Sequence, residues 1–159
     1  MRSIKWSTTH EPILKQFCEM SRKDEKGKHV HGPIFNTHWE FLCFTATLGW
    51  HFGRKSEVSG DTKEIPSRIY ENKDRAIDLM FLLALSEKRD TDILREEEEN
   101  KVVGIFEQYA HGGLEIVDQW LKETPSDLHG NQAIIAALHK NGFLERSTSK
   151  PVGEDEVEF

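Results

Sequence analysis

The chain has 159 residues, of which 31% are charged and 36% are hydrophobic, and its formal net charge is −7. This length favours a single domain with a buried core, and the charged fraction is typical of a water-soluble protein. The acidic balance argues against sequence-independent binding of the whole surface to DNA or to an anionic membrane. The charge is unevenly spread, however. Residues 1–75 carry 13 basic and 10 acidic residues, whereas residues 76–159 carry 8 and 18, so the first part of the chain can still present a basic surface.

The first third of the chain contains one short helical pattern between two segments without one. Residues 1–10 show no periodicity, and we expect them to be frayed. Residues 11–20 place apolar side chains at helical spacing after Pro12, a residue suited to a first helical turn. The polar segment 21–31 ends before a Gly-Pro pair and predicts a loop.

The second helix has a recognisable start. Thr37 followed by Glu40 fits a capping box, and Phe35 before the cap is placed to pack on Phe41 as a hydrophobic staple. We expect this helix to be mostly buried and to end just before Gly53.

Residues 53–71 form the longest irregular segment of the domain, and long ordered loops often carry function. Six basic residues lie in or next to it, and five acidic residues alternate with them. If the loop folds so that its basic and acidic side chains lie on opposite faces, the basic residues form a phosphate-contacting surface. The alternative is a solvated loop of mixed charge. The candidate nucleic-acid-binding residues are Arg54, Lys55, Lys63, Arg68, Lys73 and Arg75.

The rest of the chain predicts further helices. Residues 72–88 are the most apolar and predict a central core helix, after which Asp90 caps a short turn. Four acids at 96–99 open the next helix, where their charge suits the helix dipole. The Gly112-Gly113 pair interrupts this helix, so that either one kinked helix or two packed helices fit the pattern.

A last helix is predicted over 131–140, followed by an Asn-Gly stop. The polar and acidic segment 147–159 has little to bury, and we expect it to be a disordered tail. The predicted fold is therefore an all-α single domain, residues 1–146, with five or six helices and one long irregular loop over 53–71.

The cysteine count and the length of the apolar segments argue against a disulfide-stabilised, a secreted or a membrane-spanning protein. Cys18 and Cys43 form no disulfide framework and no CxxC pair, and we expect Cys43 to pack as a small core residue. No apolar signal segment is visible, and the longest apolar stretch, 77–85, is too short to cross a bilayer. We therefore expect a cytoplasmic protein without membrane contact.

One side-chain stripe is a candidate metal site. Glu107, His111 and Glu115 are spaced four residues apart, so on a continuous helix they share one face. Helical di-iron proteins use Glu-x-x-His pairs on facing helices, and the chain has no such second pair. The favoured interpretation is a solvated helix face, and the sequence predicts neither a metal site nor another cofactor.

One pattern points weakly to an enzyme. Asp61 followed by Glu71 and Lys73 resembles the arrangement of metal-dependent nucleases, in which carboxylates bind Mg²⁺ and a lysine orients the attacking water. That arrangement needs a strand pair, which few of the surrounding residues indicate. The sequence contains no glycine-rich phosphate loop, nucleophile elbow or zinc-protease motif. A non-enzymatic protein is favoured, and the nuclease stays as an alternative.

Several segments together carry a resemblance to one protein family. The most distinctive block is Ile105–Ile116, and the resemblance covers roughly residues 33–123. The supporting segments are Phe52-Gly53-Arg54, Ile65-Pro66, Arg68-Ile69-Tyr70, Leu83-Ala84-Leu85 and Asp92-Ile93-Leu94. Together they resemble the Dnd system-associated protein 4 family. That family is encoded beside bacterial DNA phosphorothioation systems, so the resemblance implies a role in DNA modification and defence against phage.

The leading interpretation is a non-enzymatic accessory protein that binds other components of such a system and contacts DNA through residues 54–75. The alternative is a protein-interaction or oligomerising module without DNA contact. In that case the acids near 96–99 and 118–123 would dock on a basic component. No catalytic residue is assigned, and the oligomeric state stays open.

Overall fold

The computed structural model describes residues 1–20, 22, 23, 26 and 28–145. They form six helices: α1 (Glu11–Cys18), α2 (His38–His51), α3 (Ser67–Tyr70), α4 (Asp74–Lys88), α5 (Glu99–Glu123) and α6 (Asn131–Lys140). Four short strands accompany them: β1 (Ile4–Ser7), β2 (Arg22–Lys23), β3 (His29–His31) and β4 (Thr62–Ile65). The predicted all-α class is confirmed, with two small two-stranded sheets added. The predicted acidic tail, 147–159, lies outside the described residues.

Helix α5 is the centre of the core. It is one continuous helix of 25 residues, about 37 Å long, so the chain does not break at its glycine pair. The two glycines are needed because α5 lies directly against backbone. A Cβ atom on Gly113 would lie under 3.0 Å from the carbonyl oxygen of Thr45, and one on Gly112 equally close to that of Arg54.

Helix α2 contributes a glycine to the same contact. A Cβ atom on Gly49 would lie under 3.0 Å from the carbonyl oxygen of Tyr109 in α5. The chain then turns at Gly53, whose φ is +62°, and the Arg54 amide donates to the Gly49 carbonyl at 2.8 Å. The segment that follows α2 therefore turns back on this helix, and its Arg54 carbonyl lies against Gly112 of α5.

The N-terminal residues are ordered, so the prediction that they fray is wrong. Strand β1 pairs with β4 in antiparallel register, with Ile4 opposite Ile65 and Ser7 opposite Thr62. Ile4 and Trp6 are 1% and 4% exposed. A four-residue strand has too short an alternation to recognise by itself, and its partner lies far along the chain.

Two predicted loops also contain regular structure. Segment 53–71 includes β4 and the single-turn helix α3, although its first residues are irregular. Segment 21–31 contains β2 and β3, which pair antiparallel. In both places the strands are two to four residues long, and their pairing depends on partners that the local pattern does not reveal.

The predicted Thr37 cap and hydrophobic staple of α2 are confirmed, whereas the reciprocal bond of the capping box comes from the Asn36 amide instead of the Thr37 amide. Thr37 accepts a hydrogen bond from the Glu40 amide at 3.1 Å, and the Glu40 carboxylate accepts one from the Asn36 amide at 3.0 Å. The rings of Phe35 and Phe41 are 5.0 Å apart. These contacts are local, which is why the sequence predicted them.

The bounds of the helices after residue 71 follow the prediction, but the prediction that residues 72–88 form the central core helix is wrong, because α5 takes that place and Leu82 of α4 is 62% exposed. Helix α4 begins two residues later than expected and ends at Lys88 as expected, and α6 has the predicted bounds. Asp90 caps the next turn by accepting from the Asp92 amide at 3.0 Å. Phe143 and Leu144, which follow α6, stay 44% and 41% exposed.

Gly113→Ala is expected to lower the free energy of unfolding by about 3 kcal/mol, because the new methyl group must push α2 and α5 apart. Gly104→Ala is the matched control in the same helix, since its Cβ would meet only the Arg2 guanidinium at 3.8 Å. It should be neutral or stabilising by up to about 1 kcal/mol, the helix propensity difference. Urea unfolding followed by circular dichroism measures both, and equal effects would contradict the role of the contact.

Candidate nucleic-acid interface

The structure divides the six predicted nucleic-acid-binding residues into two groups. Three of them are held in ion pairs with carboxylates of other elements. The pairs are Arg54 with Glu115 at 2.9 Å, Lys55 with Glu87 at 2.5 Å and Lys63 with Glu11 at 2.5 Å. A phosphate would have to compete with a carboxylate for each of these cations.

The other three lie together at the junction of α3 and α4, residues 67–75. Arg68 is in α3, Lys73 immediately precedes α4 and Arg75 is in the first turn of α4. All three are exposed, and none makes an ion pair with another described side chain. Glu71, an acid between them, lies 3.4 Å from the ammonium group of Met1, which lies 3.1 Å from Glu99 as well.

The α3–α4 junction is anchored to the core through Tyr70. Its buried ring stacks on Trp39 with 5.2 Å between centroids, and its hydroxyl donates to the Arg2 carbonyl. Burial raises the pKa of Tyr70 to about 12, so the hydroxyl stays protonated as a donor. Arg2 in turn donates two hydrogen bonds, of 2.6 and 2.7 Å, to the Glu107 carboxylate on α5. The basic residues therefore project from a firmly held turn.

The stripe of Glu107, His111 and Glu115 is not a solvated face, so that interpretation is wrong. Glu107 and His111 are each 8% exposed. Glu107 is held by Arg2 and by the Lys5 amide at 2.6 Å, and Glu115 is held by Arg54. Across the part of the chain that the structure describes, no three His, Cys, Asp or Glu residues are grouped to hold a metal ion.

A histidine pair that the sequence did not indicate lies beside this stripe. The rings of His10 and His111 are 4.7 Å apart in an edge-to-face arrangement, and both residues are buried. Both ring nitrogens of His111 are buried without a hydrogen-bond partner among the described residues. Burial lowers the pKa of both imidazoles, which favours their neutral forms.

The geometry gives the nuclease alternative no support. The Asp61 carbonyl accepts from the Thr8 amide at 2.9 Å, just beyond one end of β1, whereas Glu71 lies beside Met1 at the other end. The four residues of β1 between them span about 10 Å. Since Mg²⁺ holds its ligands at about 2.1 Å, one ion cannot bind both carboxylates.

Comparison with known proteins yields one finding. A model of the family described as DNA sulphur modification system-associated protein 4 matches residues 4–155. Neither the curated proteins nor the solved structures give a match. In the described residues, no helix has the length and apolar character to span a bilayer.

The buried histidine pair predicts how stability depends on pH. The folded-state pKa of His10 and His111 lies below the 6.5 of a free imidazole, so the unfolded chain takes up protons at higher pH than the folded one. Stability is therefore highest above pH 6.5 and falls as pH drops from there toward the lowered folded-state values.

Urea unfolding at about pH 7.5 and about pH 5.5 measures this loss of stability. The double variant His10→Phe with His111→Leu should show a clearly smaller loss over the same interval, because the remaining groups titrate similarly in both proteins. An unchanged pH dependence in the double variant contradicts the role given to the two histidines.

Proposed function

The chain belongs to the DNA sulphur modification system-associated protein 4 family, and from this we propose that it is a non-enzymatic accessory component of a bacterial DNA phosphorothioation-linked defence system. It acts by contacting other components of that system and by contacting DNA. The family places the chain with DNA sulphur modification systems. The accessory role is supported by a sequence without a recognisable catalytic motif.

The DNA contact is proposed at the α3–α4 junction. The single observation that carries it is the group of exposed cations Arg68, Lys73 and Arg75, none of which makes an ion pair with a described side chain. Exposed Lys and Arg side chains supply most of the sequence-independent affinity for DNA, because each phosphate contact releases counterions. Arg54, Lys55 and Lys63 contribute less, since their carboxylate partners must first be displaced.

A second candidate is a protein-interaction module without DNA contact. It is favoured by the acidic turn before α5, where Glu96 and Glu97 are exposed next to Leu94, which is 45% exposed. Acids beside an exposed apolar side chain suit a partner with a basic surface and an apolar anchor.

The DNA contact is tested with the triple variant Arg68→Gln, Lys73→Gln, Arg75→Gln. Fluorescence anisotropy with a labelled duplex should show at least tenfold weaker binding at low salt. The slope of log K against log salt should fall by about 0.9 for each phosphate that the variant no longer binds.

The matched control is Lys15→Gln, Lys101→Gln, Lys122→Gln, which changes the net charge equally. These lysines are exposed and make only ion pairs within one helix or turn, so the fold tolerates their loss. If both variants weaken duplex binding equally, or the unaltered protein does not bind at low salt, the DNA contact at the junction is refuted.

The second candidate predicts a complex that survives purification with another component of the system. Glu96→Lys with Glu97→Lys should abolish co-purification when the components are expressed together, and light scattering should report the mass of the protein alone. Retention of the complex in this variant would exclude the acidic turn as the docking site.

A further inference from the structure

Glu107 is a carboxylate in the middle of α5 that is 8% exposed. It accepts two hydrogen bonds from the Arg2 guanidinium, of 2.6 and 2.7 Å, and a third from the Lys5 amide at 2.6 Å. All three donor groups belong to the N-terminal segment, residues 1–7, which includes β1. A buried carboxylate needs such partners, because burying an unpaired charge is costly. Glu107 therefore fixes where the N-terminal segment lies against α5.

The same segment contacts the α3–α4 junction, where the DNA contact is proposed. The backbone carbonyl of Arg2 accepts a hydrogen bond from the Tyr70 hydroxyl of α3. Strand β1 also pairs with β4, with Ile4 opposite Ile65, and β4 leads directly into α3. A continuous series of contacts thus runs from Glu107 through Arg2 to the turn that carries the exposed cations.

The hydroxyl of Tyr70 adds something that its ring does not. The ring stacks on Trp39, with 5.2 Å between centroids. Such an apolar contact keeps the ring buried but is non-directional, whereas a hydrogen bond also fixes the direction of its donor. The orientation of α3 therefore depends on the position of the Arg2 carbonyl, and Glu107 holds Arg2.

We propose that Glu107 is a positioning residue for the DNA contact at the α3–α4 junction. It acts through Arg2 and Tyr70, and because it is buried it does not contact DNA itself. A turn already held in one conformation loses less conformational entropy when it binds, so a preorganised turn binds more tightly. This inference rests on the proposed function and names a residue distant from the cations on which their affinity for DNA depends.

Charge alone predicts the opposite effect of this carboxylate. Removing it makes the chain less acidic and releases Arg2 from its ion pair, and both changes favour the approach of DNA. A positioning role predicts weaker binding, because the turn with the three exposed cations is no longer held in place. The sign of the change in affinity therefore separates the two explanations.

Glu115 provides the matched control. It lies on the same helix, two turns after Glu107, and it is also paired with an arginine, since Arg54 donates to it at 2.9 Å. Glu115→Gln removes the same charge and likewise releases one arginine, but it leaves the contacts of Arg2 and Tyr70 in place. Only the charge effect applies to this variant.

The test is binding of a fluorescein-labelled duplex to the full chain, followed by anisotropy at low salt. Glu107→Gln should weaken binding about threefold or more, whereas Glu115→Gln should leave it unchanged or tighten it. Tyr70→Phe should also weaken binding, because it removes only the hydroxyl and keeps the ring and the net charge. Arg2→Lys, which keeps the positive charge beside Glu107, should retain most of the affinity.

Hydrogen exchange reports the hold on the turn without DNA. The amides of residues 67–75 should exchange about fivefold faster or more in Glu107→Gln and in Tyr70→Phe, and at an unaltered rate in Glu115→Gln. The slowest amides of α2 are the internal reference, because a general loss of stability would accelerate them as well. Equal acceleration in α2 and in residues 67–75 shows a purely structural role and overturns the inference.

A combined variant shows whether Glu107 acts through the junction cations. Glu107→Gln is added to the triple variant Arg68→Gln, Lys73→Gln, Arg75→Gln. It should cause no further weakening there, because no cation remains to be positioned. The same weakening in both backgrounds contradicts the inference, and so does tighter duplex binding by the single variant Glu107→Gln.

The inference and the proposed function fail in different ways. If the unaltered protein does not bind the duplex, the DNA contact is refuted, and the role of Glu107 in it is refuted as well. If the triple variant loses duplex binding but Glu107→Gln binds as tightly as the unaltered protein, the DNA contact is upheld and only the positioning role is refuted.

Discussion

The approach of α2 to α5 at Gly49, Gly112 and Gly113 is the constraint on which the rest of the structure depends. Backbone meets backbone at these positions, so no side chain separates the helices. The segment after α2 then turns back on α2, where the Arg54 amide donates to the Gly49 carbonyl, and is held to α5 by the Ser56 amide, which donates to the Gln108 carbonyl at 3.1 Å.

The position of the N-terminal segment also depends on α5. Arg2 binds Glu107 on α5, and β1 pairs with β4, which leads into α3 and the junction. The ion pair is partly buried and bidentate, and its carboxylate also accepts the Lys5 amide. Such a pair is costly to break because the remaining buried charge has no partner. Residues far apart in the chain thereby position the exposed cations.

Because many acids are held in ion pairs, the net charge of the chain does not describe the charge of each part of its surface. A net charge of −7 suggests a surface that repels DNA, but several acids lie against cations of the loop and the N-terminus. At the α3–α4 junction, the exposed cations Arg68, Lys73 and Arg75 make no ion pair with another described side chain. The local charge of a surface, rather than the net charge of the chain, decides where an anionic ligand can approach, because solvent and salt screen distant charges.

By itself, the sequence determined those features of the structure that depend on residues close together in the chain. The Thr37 cap, the Asp90 cap, the bounds of α6 and the family resemblance all follow from local pattern. Only the tertiary structure decided that Ile4–Ser7 form a largely buried strand, that Glu107 and His111 face inward, and which of the six cations are paired. Each of these depends on a contact between distant segments, and a local pattern contains no information about which distant segment will supply the partner.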